Sequence, residues 1–238
     1  LFTPYPKLNA SERSVCKNKT FKSMSDIVVS RTAYRFTDFM HKDHPEAIGQ
    51  LSEGHPYDVS TNIFERLPQV FFDDKPDDGN DYIRILGRMD NTRTMKFVRR
   101  DYIREVENLD GYKVFMAKAN GTGAFGETLT PPIVGEPSVG NTETFISIGE
   151  FYTLSEAMAL KKYIATKFVR ALLGALKTTQ DITPEKWKFV PQQDFSETSD
   201  IDWSRSVEEI DAFLYKKYKL TDAEICFINE KVQAMKDV

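Results

Sequence analysis

The sequence predicts an α+β fold: a mixed or antiparallel, β-rich domain with one long amphipathic helix, followed by a small α-helical hairpin. Three observations lead there. Short runs of alternating apolar residues cluster between positions 69 and 148. Helical periodicity sets in only after residue 153, behind three Ser/Thr-x-x-Glu capping patterns. Strands and helices are therefore segregated along the chain, which separates α+β from a doubly wound sheet.

Taken in order, residues 1–20 carry Pro4, Pro6 and scattered lysines and read as an extended lead-in. Met24, Ile27, Val28 and Val29 follow, with Ser23 or Ser25 placed to cap a short helix. The stretch 37–62 is polar and rich in Pro, Gly and His, and reads as a long surface loop. Residues 69–72 suggest a short strand and 73–81 a turn cluster. Residues 82–86 and 95–98 flank a polar turn and predict a hairpin. Residues 112–116 and 142–148 alternate as further strands. Thr153 and Glu156 then form a capping box, in which hydroxyl and carboxylate satisfy orphan amides reciprocally. Ala157, Leu160, Ile164, Phe168, Leu172 and Ala175 recur every three or four residues behind it. Lys161, Lys162, Lys167 and Arg170 fall mainly on the other sides, giving a basic exterior. Ser206 with Glu209 and Thr221 with Glu224 open two more helices, joined near Lys219 and Leu220. The expected organisation is a lead-in over 1–20, a main domain over 21–180, and a connector with helical hairpin over 181–238.

Composition narrows the class. Apolar residues at 40% and charged residues at 29% exclude a disordered tail, a collagen-like fibre and a disulfide-stapled miniprotein. Cys16 and Cys226 are expected as free thiols, and a cytoplasmic setting is the default. No apolar run reaches the ~20 residues of a membrane helix, so no membrane partner is expected. The start at Leu1 rather than Met suggests a piece of a longer protein. The net charge of −4 is a cancellation between blocks. Segments 1–36, 82–118 and 158–180 are basic, whereas 37–81, 119–157 and 181–238 are acidic. To make one polyanion-binding surface, the three basic blocks must share a face.

Catalytic patterns are weak. Gly121, Gly123 and Gly126 match G-x-G-x-x-G, but Pro131 and Pro132 follow where a dinucleotide site needs a helix. The segment is left as a tight turn, or as a loop whose amides approach an anionic partner. Asp38, His41 and His44 stand three apart, yet Asp43 and Pro45 between and after them fit a loop, and no zinc ligand set is completed. The aspartates of 73–81 sit around Pro76 and Gly79 and read as a solvated turn. Nucleophile-elbow, H-E-x-x-H and Walker A sequences are absent, so no catalytic residue and no metal site is assigned.

Several motifs in order carry a resemblance. Tyr112-Lys113-Val114-Phe115 leads into Lys118-Ala119-Asn120-Gly121, and Asn141-Thr142-Glu143-Thr144-Phe145 follows. Tyr163 to Arg170 lie in the long helix, then come Phe189-Val190-Pro191-Gln192-Gln193-Asp194-Phe195, Asp202-Trp203 and Tyr215-Lys216-Lys217-Tyr218. Over 110–235 the chain resembles the C-terminal part of Eco57I-like restriction-modification proteins, where a target-recognition region follows an adenine-specific DNA methyltransferase. Residues 21–109 resemble them less.

The resemblance implies double-stranded DNA as a partner and a methyltransferase domain upstream in the parent chain. It implies AdoMet for that parent, and Mg²⁺ where it cleaves, with no cofactor in this part. Thr130-Pro131-Pro132-Ile133 keeps the two prolines of an adenine-holding Asn-Pro-Pro-Tyr motif but neither flank. The chain therefore reads as the recognition part, not the methylating one. Phosphate or groove contacts are then expected from Lys22, Arg31, Arg35, Arg84, Arg88, Arg93, Lys96, Arg99, Arg100 and Lys118, with Lys17 and Lys19. Asn91 with Arg93, and Asn120 with Thr122, are the expected base readers. Segment 119–157 contains no Lys or Arg, so a glycine loop facing DNA must draw on backbone amides or on Lys113 and Lys118 beside it; the alternative is that it faces the methyltransferase body. Two alternatives stand beside this reading. One is a metal-dependent nuclease using carboxylates near Asp73–Asp81; the other is an interaction module whose 206–235 hairpin docks on a methyltransferase core.

Overall fold

The computed structural model describes residues 21–121, 123–176 and 179–235. Cys16, Lys17, Lys19, Thr122 and the expected lead-in lie outside the described residues. The α+β expectation holds, with two sheets at the centre. Strands β1 (Val28–Val29), β4 (Tyr112–Ala117), β5 (Ile133–Gly135) and β7 (Phe145–Phe151) form an antiparallel sheet in the order β1-β7-β4-β5. Strands β2 (Tyr82–Met89), β3 (Thr92–Arg99) and β6 (Val139–Asn141) form a second sheet in the order β3-β2-β6. There β2 pairs antiparallel with β3 and parallel with β6.

The period of two along β4 and β7 explains how the layers join. Val114, Met116, Ile146 and Ile148 point into one core, under helices α4 (Leu154–Ala165) and α5 (Lys167–Leu176). Phe115 and Phe145, one residue out of step, point the other way and meet Leu86 and Val139 of the second sheet. A separate core lies beneath the second sheet. It gathers Ile83, Ile85 and Val98 with Tyr34, Phe36, Phe64 and Phe71.

The first core also takes in Trp187, Val190, Phe195, Ile210, Leu214, Ile228 and Val232. The boundary expected at 180/181 therefore does not divide cores. Helices α6 (Val207–Lys217) and α7 (Asp222–Lys231) are present as expected, and both pack on α5. All three capping boxes are made, each with both of its reciprocal bonds.

Four local differences have physical reasons. The long helix is broken at Thr166, whose backbone is extended at φ −60° and ψ 148°. Its hydroxyl donates to the Tyr163 carbonyl at 2.7 Å and accepts from the Val169 amide at 3.2 Å, a local bond set that competes with helix continuation. The apolar periodicity runs on across the break because both halves contribute to the same core.

The expected loop at 37–62 contains α1 (Asp38–Asp43) and α2 (Ala47–Gln50), and α3 (Ile63–Arg66) follows directly. Thr37 caps the first of these. Residues 69–72 provide a single bridge, Phe72 to Phe97, rather than a strand. The strand expected over 142–148 starts at Phe145, because a turn over 142–145 carries the chain from one sheet to the other. Among the described residues no helix is long and apolar enough to cross a membrane.

Candidate nucleic-acid interface

The β2–β3 hairpin is longer than the sequence suggested. It pairs from Tyr82 with Arg99 to Met89 with Thr92, leaving only Asp90 and Asn91 in the turn. Both have positive φ, 49° and 60°, as a type I′ turn requires, and its twist matches that of the strands. β6 accompanies β2 only along Arg84–Leu86, and Phe72 bridges β3 only at Phe97. From residue 88 to residue 93 no third strand pairs with the hairpin, though Met89 still packs against the second core. The base of this stretch is fixed by Gly87, where a Cβ would collide with the Phe64 ring.

Alternation sorts the ribbon's side chains. Ile83, Ile85 and Val98 enter the second core. Arg84 and Arg88 lie on the opposite face, with Arg93 directly across from Arg88. Arg88, Asn91 and Arg93 are exposed. Arg93 donates to the Pro131 carbonyl at 2.8 Å. Its guanidinium pKa is lowered, first by loss of water and then by the charge of Arg88. Among the described residues neither arginine has a carboxylate within ion-pair distance.

The remaining predicted cations are placed differently. Arg84 pairs with Glu136 at 2.5 Å, and Arg100 with Asp110 at 2.5 Å. Arg99 pairs with Asp101 at 2.7 Å and Asp43 at 3.3 Å, and lies over the Tyr102 ring at 4.7 Å. Arg35 pairs with Asp58 at 2.9 Å and Arg31 with Glu143 at 3.5 Å. Lys96 is buried and pairs with Asp73 at 2.7 Å. Lys118 joins Arg31, Ser30, Asp181 and Thr183 around a small cleft of about 110 Å³. Lys22 is exposed.

Asn120 is buried: its side-chain Nδ2 donates to the Ala117 carbonyl at 2.6 Å and its Oδ1 accepts from the Thr130 backbone amide at 2.8 Å. That role ties down the exit of the glycine loop inside the fold. Its expected companion Thr122 lies outside the described residues.

The glycine loop itself meets a partner that the sequence reading did not consider. Gly126 has φ 77°, and a Cβ there would run into the Lys231 carbonyl oxygen. The Gln233 amide donates to the Gly126 carbonyl at 2.9 Å. The loop is built for close approach to this chain's own C-terminal segment.

The basic helix block turns to the same segment. Lys162 donates to the carbonyls of Trp203 at 2.9 Å and Arg205 at 3.0 Å. Arg170, buried, donates to the carbonyls of Ala165 and Gln233. The hairpin block instead pairs with Asp43 and Asp73 from the acidic 37–81 segment. The hairpin block and the helix block thus serve different partners.

Lys113, expected as a cation beside the glycine loop, is not on the surface. It is fully buried where the two sheets meet, and its Nζ donates to the carbonyls of Leu109 at 2.8 Å, Val139 at 3.0 Å and Glu136 at 3.3 Å. Burial pushes its pKa down to about 8. A lysine flanked by apolar strand residues was the available signal, but no acidic partner marked it.

The metal-ligand candidates have other bonds. Asp38 accepts from the Tyr57 hydroxyl at 2.8 Å, His41 Nε2 meets the Pro56 carbonyl at 2.7 Å, and His44 meets Glu46 at 3.2 Å. Asp78 accepts from the Asn80 amide and the Tyr82 hydroxyl. Among the described residues no three His, Cys, Asp or Glu converge as a metal site would need.

A cleft of about 680 Å³ opens between α5, α6 and α7, with Leu220 and Ile225 beside Lys167, Lys216 and Lys219. Comparisons with protein-family models, curated proteins and solved structures find no match to the chain.

Proposed function

We propose that this chain reads duplex DNA as the target-recognition region of a restriction-modification adenine methyltransferase or fused restriction enzyme. One observation carries the reading: a β2–β3 ribbon with no third strand at its tip, which presents exposed Arg88, Asn91 and Arg93 without carboxylate partners among the described residues. A major groove about 12 Å wide admits a two-stranded ribbon, and Arg and Asn are the side chains that pair with base edges there. The ordered motifs over 110–235 support the same reading through their resemblance to such proteins.

The division of labour follows from the chemistry. Methylating adenine in a duplex requires extruding the base into a pocket, while a separate surface selects the sequence. AdoMet, and Mg²⁺ for cleavage, belong with the parent's upstream domain. In this chain the ribbon supplies base-edge contacts, and exposed Lys22 is free to help set register on the phosphates.

The test is binding of the chain to a mixed-sequence duplex across a salt series. Affinity should fall linearly in log–log form, since each neutralised phosphate releases counterion. Absence of binding even at low salt would overturn the reading.

A further inference from the structure

We infer that the ribbon tip is a guanine reader: Arg88 and Arg93 together take the O6/N7 edges of neighbouring guanines in the major groove. The inference rests on the DNA-reading function proposed above and deepens it.

The starting point is a repulsion left standing. Arg88 and Arg93 are direct cross-strand partners. Side chains so placed have Cβ atoms about 4.5–5.5 Å apart, and like charges there destabilise the pair. Elsewhere along this hairpin and the turn after it, Arg84, Lys96, Arg99 and Arg100 each have a carboxylate. Only at the tip do the two cations face each other with none among the described residues. A ligand offering paired acceptors relieves that repulsion, and two such groups occur in DNA: the guanine O6/N7 edge and the phosphate.

The turn between the arginines favours the base edge. Asp90 and Asn91 are both exposed at the tip. A carboxylate beside the arginines is repelled by phosphate, whereas in the groove it accepts from the cytosine amino group. Asn91 offers the donor and acceptor pair that matches adenine. A tip mixing donors with acceptors suits base edges, which present both; the backbone presents acceptors alone. Arg93 is further prepared by its bond to the Pro131 carbonyl, which holds one end of the guanidinium and leaves the other donors available.

The test selects duplexes from a randomised pool with the whole 238-residue chain and with R88K, R93K and the double variant. Lysine keeps the charge but lacks the planar fork. Thermal unfolding of each variant checks that the hairpin and core are intact. The wild-type pool should fix G·C pairs. Exchanging those guanines for 7-deazaguanine should weaken binding on the order of tenfold per contact. The lysine variants should lose the G·C preference while keeping most of their sequence-independent affinity. If the preference survives both lysine substitutions, or 7-deazaguanine binds as well as guanine, the arginines hold phosphate and the inference falls while DNA binding stands. If no duplex binds at any salt concentration, the function and this inference fall together.

Discussion

At the scale of single residues, Asp211 shows how one buried side chain organises a helix junction. Its two carboxylate oxygens accept from the amides of Lys167 at 2.9 Å and Phe168 at 2.8 Å, satisfying orphan donors at the start of α5. Burial nonetheless outweighs those bonds and raises its pKa to about 6 from an ordinary 3.8. An acid whose folded pKa is raised binds more protons folded than unfolded between those two values. Its contribution is therefore fully present at low pH and is lost as pH rises through about 6. Asp211→Asn keeps the shape and removes the titration. Relative to wild type, this variant should gain stability on going from pH 4 to pH 7, on the order of 2 kcal/mol. Urea unfolding of both proteins at the two pH values measures it, and a pH-independent difference would contradict the assignment. Asp211→Ala leaves the two amides unanswered and removes the same titration, so it should be destabilising at both pH values and cost more at pH 4 than at pH 7.

At the scale of elements, the glycine loop makes a prediction with its own control. Gly126→Ala meets both a left-handed φ of 77° and the Lys231 carbonyl. Gly79→Ala meets a φ of 79° with open space around it. The second should cost about 1–2 kcal/mol, from the backbone conformation alone. The first should cost at least twice as much and speed amide exchange at Gln233, whose bond to Gly126 would be lost. Equal losses would mean that the loop and the C-terminal segment are not in tight contact.

Elements also show what the sequence makes legible. The capping boxes at Thr153, Ser206 and Thr221 were readable because both partners lie within one helical turn. α1, α2 and α3 were not, since helices of four to six residues are too short to display a 3.6-residue period. The hairpin was legible but its register was not, until Asp90 and Asn91 were seen to form the whole turn. Within the candidate site, Arg88, Asn91 and Arg93 could be picked out by their place beside that turn. Lys96 and Asn120 look no different in sequence, yet tertiary packing buries both. Burial of a polar residue depends on what folds over it, and for Lys96 the ion-pair partner Asp73 comes from a turn 23 residues away.

At the scale of the whole molecule, the alternating charge blocks gain a physical meaning. Two acids of the 37–81 segment reach the basic hairpin, Asp43 to Arg99 and Asp73 to Lys96. The helix cations hold the C-terminal segment through its carbonyls. Part of the local charge is therefore engaged in holding the chain together, and the net charge of −4 reports little about partners. Within the hairpin and the turn after it, what distinguishes the tip is not more charge but two facing arginines without a carboxylate among the described residues, where Arg84, Lys96, Arg99 and Arg100 each have one. Exposed, screened ion pairs contribute little, and arginines already paired have less to gain from DNA.

The most direct measurement follows from that contrast. On one duplex, at one salt concentration, binding is compared for the wild type, for R88A/R93A at the tip, and for R84A/R100A, whose arginines pair with Glu136 and Asp110. Loss of the tip arginines should weaken binding by at least about tenfold, while loss of the paired arginines should change it by no more than about twofold. Equal losses, or a larger loss from the paired set, would contradict the claim that this ribbon reads DNA.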